Sequence, residues 1–86
     1  MEKTLFKFEK KLSRKDIAEH LDQISEKLRK GEPITFNSGE EVELNPSERP
    51  EFEIKVEEES GGEKSLELEI EWNDQDEEND SRLEIN

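Results

Sequence analysis

The amino-acid sequence predicts an α+β fold, in which one helix packs on one face of a mainly antiparallel five-stranded sheet in the order β-α-β-β-β-β. One segment repeats its apolar residues every three or four positions and lies between helix-capping residues. Other segments alternate apolar and polar residues, as half-buried strands do. Short connections rich in Gly, Asn and Pro separate these segments and are typical of turns, so a two-layer arrangement is expected.

The first strand is predicted over residues 4–12. Phe6, Phe8 and Leu12 keep a period of two, which indicates a strand that is covered on one face. Lys10 interrupts this pattern.

The helix is predicted to begin after Ser13. This residue can cap the first turn, and Asp16 stands close to the position of the acidic residue in a capping box. One stripe of the following segment is apolar and is formed by Ile17, Leu21, Ile24 and Leu28. Gly31 and Pro33 then predict a left-handed cap and the end of the helix.

A first β-hairpin is predicted after the helix. Ile34 and Phe36 form one alternating run, and Val42 and Leu44 form the next. The sequence Asn-Ser-Gly at residues 37–39 predicts the turn between them.

A second hairpin gives the clearest pattern in the chain. Its two strands alternate strictly between apolar and mainly glutamate residues and are joined at Ser60-Gly61-Gly62. A three-residue loop at this place predicts three apolar cross-strand pairs, which are Phe52 with Ile70, Ile54 with Leu68, and Val56 with Leu66. We expect this apolar face to be turned toward the helix.

Composition limits the classes of function. The chain has 86 residues, 27% of them hydrophobic, and its 26 acidic and 13 basic residues give a net charge of -13. This charge argues against nucleic acid or an anionic membrane as a partner. The sequence has no cysteine, so no disulfide and no sulfur-ligated zinc site is predicted. The first 15 residues contain no apolar run of seven, so neither a signal peptide nor a membrane span is predicted there. We expect a soluble cytoplasmic protein.

The domain organisation is predicted from the same patterns. Residues 1–72 are expected to form the α+β domain. Residues 73–86 contain only Leu83 and Ile85 as apolar residues, so a disordered acidic tail is predicted there.

Several motifs together resemble the amphi-Trp domain family, which comprises small archaeal and bacterial proteins. The resemblance begins with the run Leu-Glu-Leu-Glu-Ile-Glu-Trp at residues 66–72, an amphipathic strand that ends in tryptophan. It extends over about residues 4–72 through the segments Leu-Phe-Lys-Phe-Glu at 5–9, Gly-Glu-Pro-Ile at 31–34 and Phe-Glu-Ile-Lys-Val-Glu at 52–57. The resemblance supports the predicted fold and implies no activity, cofactor or catalytic residue.

The acidic side of the second hairpin is the main candidate site. Five glutamates share one phase of the two strands, and we call them the glutamate face: Glu51, Glu53, Glu67, Glu69 and Glu71. The predicted register sets glutamate opposite glutamate at two positions, which opposes stability. The face can be a solvated surface that prevents edge-to-edge pairing, a binding surface for a basic protein, or a weak site for divalent cations.

Other polar residues give little indication of chemistry. His20 is the only histidine and has no cysteine or second histidine to complete a metal site, so we expect a half-buried helix residue. The glutamates lie on an open face rather than in an apolar pocket, so acid catalysis is not expected. Trp72 is expected to close the core or to act as a half-exposed contact for a partner.

Two functional hypotheses follow. The first is a non-enzymatic interaction module that binds a basic protein, or associates with itself, through the glutamate face with Trp72 or through an edge strand. The alternative is a domain that binds a small ligand or a divalent cation in a cleft between helix and sheet. No residue is assigned to a cofactor or metal site, and neither nucleic acid nor a membrane is expected as a partner.

Overall fold

The computed structural model describes residues 2–74, which contain one helix and four strands. The elements are α1 (Arg14–Lys30), β1 (Ile34–Asn37), β2 (Glu41–Leu44), β3 (Glu51–Glu58) and β4 (Lys64–Glu71). The chain forms two compact units, Met1–Asn45 and Pro46–Asn86. The predicted α+β class is therefore confirmed in its broad form.

Helix α1 begins and ends where the capping residues predict. The Ser13 hydroxyl accepts a hydrogen bond of 3.0 Å from the Asp16 backbone N–H, which satisfies one of the free donors of the first turn. Gly31 adopts a left-handed conformation with φ of 69°, and its N–H donates to the Leu28 carbonyl. The basic residues Lys27, Arg29 and Lys30 lie in the last turn, where they complement the helix dipole.

The first unit builds its small core on hairpin β1–β2. The strands are antiparallel, with Ile34 opposite Leu44 and Phe36 opposite Val42, as the alternating runs predict. Among the described residues Ile34 is the one buried apolar residue, with 7% of its surface exposed. The helix stripe is only partly covered, and Ile17 is 47% exposed.

The predicted strand over residues 4–12 is wrong, because residues 2–13 contain no strand. This segment contacts the rest of the unit through side chains instead of backbone pairing. The centroids of the Phe6 and Phe36 rings lie 5.5 Å apart. The Phe8 ring lies edge-on to the His20 ring, with 6.3 Å between their centroids. Alternating apolar residues can make such side-chain contacts without being part of a hydrogen-bonded strand. The sequence pattern therefore does not distinguish a paired strand from an unpaired segment.

The second unit contains hairpin β3–β4, which has the predicted register. Phe52 lies opposite Ile70 and the other two apolar pairs also match. The strands end at Glu58 and Lys64, and the Glu59 N–H donates to the Glu63 carbonyl at 2.8 Å. This bond closes the three-residue loop predicted from the Ser-Gly-Gly sequence.

The predicted five-stranded sheet is also wrong. The four strands form two separate two-stranded antiparallel sheets, one from β1 and β2 and one from β3 and β4. The connection between β2 and β3 contains Pro46 and Pro50, which have no backbone N–H to donate to a ladder. The boundary at residue 72 stays a prediction, and most of the predicted acidic tail lies outside the described residues.

Candidate functional site

The register of β3 and β4 places the glutamate face on one side of the hairpin. Glu51 pairs with Glu71 and Glu53 pairs with Glu69, so four carboxylates face each other in two cross-strand pairs. All of these residues are exposed. Like charges at directly opposite positions destabilise a sheet, and strict alternation along both strands makes this crowding unavoidable.

The crowding of carboxylates on the glutamate face changes the pKa of Glu69. The pKa of Glu69 is raised above its ordinary value, chiefly because a side-chain hydrogen bond with Glu53 favours the protonated carboxyl. The negative charge of Glu71 raises it further, and Glu51 adds a smaller effect of the same sign. The crowding therefore makes the fully ionised face less favourable.

Lys55 is the basic residue among the positions of β3 and β4 that lie on the same side of the hairpin as the glutamate face. Its ammonium lies 4.0 Å from the Glu67 carboxylate, as the register predicts. It also lies 3.8 Å from Glu57, an acidic residue of the same face that was not among the predicted site residues but follows from the same alternation. One ammonium shared by two carboxylates leaves the other glutamates of the face uncompensated.

Trp72 directly follows β4 and is half-buried. Its indole N–H donates to the Asp74 Oδ1 at 3.1 Å. It shares the sequence phase of Ile70 rather than that of Glu71. Its predicted role in partner binding stays a prediction.

The opposite side of the hairpin is apolar, and we call it the apolar face: Phe52, Ile54, Val56, Leu66, Leu68 and Ile70. This face was predicted to be covered, but Phe52 is 59%, Val56 72% and Leu66 65% exposed. A sheet of two strands has no further strand of its own to pack across it. The expected burial of this face is therefore not observed.

The first unit contains an open apolar groove between helix α1 and hairpin β1–β2. Its volume is about 1190 Å³, and residues 4–12 form part of its wall. Apolar side chains from all of these elements line it, including Leu5, Phe8, Leu12, Leu21, Ile34 and Leu44. His20 lies at this groove and is exposed, where the sequence predicted a half-buried residue.

The described part of the chain contains no group of three or more His, Asp or Glu side chains that could hold a metal ion. Within residues 2–74 there is also no helix with the length and apolar character needed to cross a membrane. The glutamate face lacks the enclosed set of oxygen ligands that calcium requires.

Comparison with known protein families gives a match over the full length of the chain. The family model of the Amphi-Trp domain matches residues 1–86 and so covers the whole chain. No curated protein and no solved structure matches the sequence significantly. A family match over the full length is consistent with the amphipathic strand and its terminal tryptophan, and the chain belongs to the Amphi-Trp domain family.

Proposed function

We propose that this chain is a non-enzymatic, cytoplasmic protein-interaction module that binds a basic protein surface through its glutamate face. One observation carries the proposal: the register sets Glu51 opposite Glu71 and Glu53 opposite Glu69 on an exposed surface. This arrangement lowers the stability of the hairpin without any structural benefit within it. A cationic partner would relieve the repulsion, so the face is better suited to binding than to stability.

The raised pKa of Glu69 supports the same conclusion. A carboxyl that resists ionisation because of its acidic neighbours is stabilised as an anion when positive charge approaches. The energy gained on binding then includes the relief of repulsion between carboxylates as well as the new ion pairs.

The spacing of the glutamates indicates the form of partner. Alternate residues of a strand lie about 6.6 Å apart, so Glu67, Glu69 and Glu71 form an evenly spaced row on β4. An extended segment with lysine at every second position presents ammonium groups at the same interval. Trp72, at the end of this row, is the predicted aromatic contact.

The test measures binding of a fluorescent peptide that alternates lysine and threonine. A charge-reversed variant combines Glu53→Lys, Glu69→Lys and Glu71→Lys. A matched control combines Glu19→Lys, Asp22→Lys and Glu40→Lys, which change the net charge equally at exposed positions of the first unit. We expect the first variant to lose at least about tenfold in affinity and the control to lose much less, because only the first removes the paired carboxylates.

Equal losses in the two variants would show that the peptide responds to net charge alone and would refute the glutamate face as a site. A second peptide of the same composition, with its lysines in one block, tests the spacing argument. It should bind more weakly than the alternating peptide.

A second candidate function is the binding of an apolar small ligand in the groove of the first unit. The volume of about 1190 Å³ and the apolar lining favour it. The divalent-cation form of this alternative has no comparable observation among residues 2–74.

Anilinonaphthalene sulfonate is a suitable probe for the groove, because its fluorescence rises in apolar surroundings. Phe8 and Phe52 are 52% and 59% exposed, so Phe8→Ser and Phe52→Ser form a matched pair of variants in different units. Ligand binding in the groove predicts that Phe8→Ser reduces the fluorescence by more than Phe52→Ser does. The opposite result would exclude the groove.

A further inference from the structure

The apolar face of hairpin β3–β4 is an uncovered surface with a definite shape. Five of its side chains are exposed by 47% to 72%: Phe52, Ile54, Val56, Leu66 and Leu68. A two-stranded hairpin is at best marginally stable in water unless its apolar side is covered. Contiguous apolar patches of several hundred Å² on soluble proteins commonly mark interaction sites.

We propose that the apolar face binds a second copy of this chain, so that two β3–β4 hairpins stack face to face. This surface lies on the opposite side of the hairpin from the glutamate face and is independent of the proposed basic partner.

Charge is the first argument for a second copy as the occupant. The chain carries a net charge of -13, so any contact between copies must avoid its acidic surfaces. The charged residues of β3 and β4 in the apolar phase are Glu58 and Lys64, which pair with each other at 3.9 Å. The face therefore brings no net charge into the contact. Stacked sheets lie about 10 Å apart, so the two glutamate faces would point outward at about twice that separation, beyond the screening length of about 8 Å.

Area is the second argument. A large aromatic side chain presents about 150 to 250 Å² and an aliphatic one somewhat less, so these five side chains expose on the order of 500 Å² per copy. Two copies would bury about 1,000 Å² together, which is at the lower limit for a specific interface. The half-buried Ile70 adjoins the patch and adds to it. The expected dimer is therefore weak and depends on concentration.

The shape of the face favours one arrangement. Phe52 lies at the open end of the hairpin, whereas the smaller Val56 lies near the turn. We place a twofold axis midway between the two stacked hairpins, perpendicular to their strands and level with the central pair Ile54 and Leu68. This axis sets the large end of each hairpin against the small end of the other copy. Phe52 of one copy then meets Val56 of the other, and Ile70 meets Leu66.

This arrangement can be tested by an isotope-filtered nuclear Overhauser experiment on the wild-type protein, with labelled and unlabelled copies mixed. Within one strand Phe52 and Val56 are about 13 Å apart, too far for a signal between them. Contacts from the Phe52 ring to Val56 methyl groups across the label boundary would support the proposal. Their absence in a dimer, for instance one that pairs edge strands, would overturn it.

Sedimentation gives the second measurement. The wild-type protein should pass from monomer to dimer between about 1 μM and 1 mM, as a small interface predicts. The double variant Val56→Thr and Leu66→Thr should raise the dissociation constant by about tenfold or more, since both changes place a hydroxyl in the contact. The control Glu57→Thr and Glu67→Thr alters the opposite face of the same strands and should not weaken the dimer. A wild-type protein that stays monomeric throughout this range would refute the proposal.

Discussion

Glu69 has acidic neighbours in two directions on the glutamate face. Glu53 lies opposite it across the strands, and Glu71 lies two positions along β4. These positions follow from the alternation of the sequence and from the loop, so the crowding could be predicted before the structure. The sequence could not show that the interaction with Glu53 is the largest cause of the raised pKa of Glu69, because this depends on side-chain conformation.

The raised pKa of Glu69 predicts a pH dependence of stability. The pKa of Glu69 in the folded protein lies above its ordinary value. This group therefore contributes its full stabilisation when the pH is below the ordinary pKa. The contribution is lost as the pH rises through the pKa that Glu69 has in the folded protein. Unfolding by urea, followed by Trp72 fluorescence, should show this loss above pH 4.5. The variant Glu69→Gln should be more stable than the wild type at neutral pH and should lack this part of the dependence. An unchanged pH profile in Glu69→Gln would contradict the assignment.

At the scale of elements, local signals predicted what local interactions determine. Helix α1 has the predicted ends because Ser13 and Gly31 supply its caps. Hairpin β3–β4 has the predicted register because a short loop and strict alternation leave one pairing. The strand over residues 4–12 and the five-stranded sheet were wrong because pairing between distant segments leaves no local pattern. The Phe6 ring contacts the Phe36 ring of β1 without any strand in residues 4–12.

The N-terminal cap of α1 can be tested by substitution. Ser13→Ala removes the acceptor for the Asp16 N–H and should lower the stability of the first unit by about 1 kcal/mol. Ser13→Asp keeps an acceptor at this position and should retain the stability. Circular dichroism of the helix during thermal unfolding measures both variants, and equal losses would contradict the capping role.

The turn of hairpin β3–β4 gives a second prediction at this scale. Gly62 has φ of 87°, and a Cβ atom there would meet no other atom, so strain in the backbone is the main cost of substitution. Gly62→Ala should therefore destabilise the hairpin by about 1 to 2 kcal/mol. Ser60→Ala, in the same turn, should have a much smaller effect. Denaturation followed by Trp72 fluorescence distinguishes the two, and similar losses would contradict the account.

At the scale of the molecule, the hairpin of the second unit has two unlike faces. Its acidic face is too crowded to be explained by stability, and its apolar face is too exposed to be complete without a covering surface. The first unit has the groove as its own uncovered surface. The chain belongs to the Amphi-Trp domain family, and the functions that we propose for it depend on these surfaces.

The salt dependence of peptide binding belongs to this scale. Exposed charges interact over about 8 Å at physiological ionic strength and over about 3 Å at 1 M salt. Binding of the alternating lysine peptide should therefore weaken steeply as salt increases. Self-association through the apolar face should not weaken under the same conditions, because burial of apolar surface is not screened. Parallel titrations of the two processes measure this difference, and an identical loss in both would contradict the division of roles between the faces.

The most direct test of the central claim maps the bound peptide by nuclear magnetic resonance of the glutamate side-chain carboxyl carbons. Addition of the alternating lysine peptide should shift the carboxyl signals of Glu51, Glu53, Glu67, Glu69 and Glu71. Signals from Glu19 and Glu26 on helix α1 should stay in place. Shifts distributed evenly over all the glutamates, or confined to the helix, would contradict the claim that the glutamate face is the binding surface.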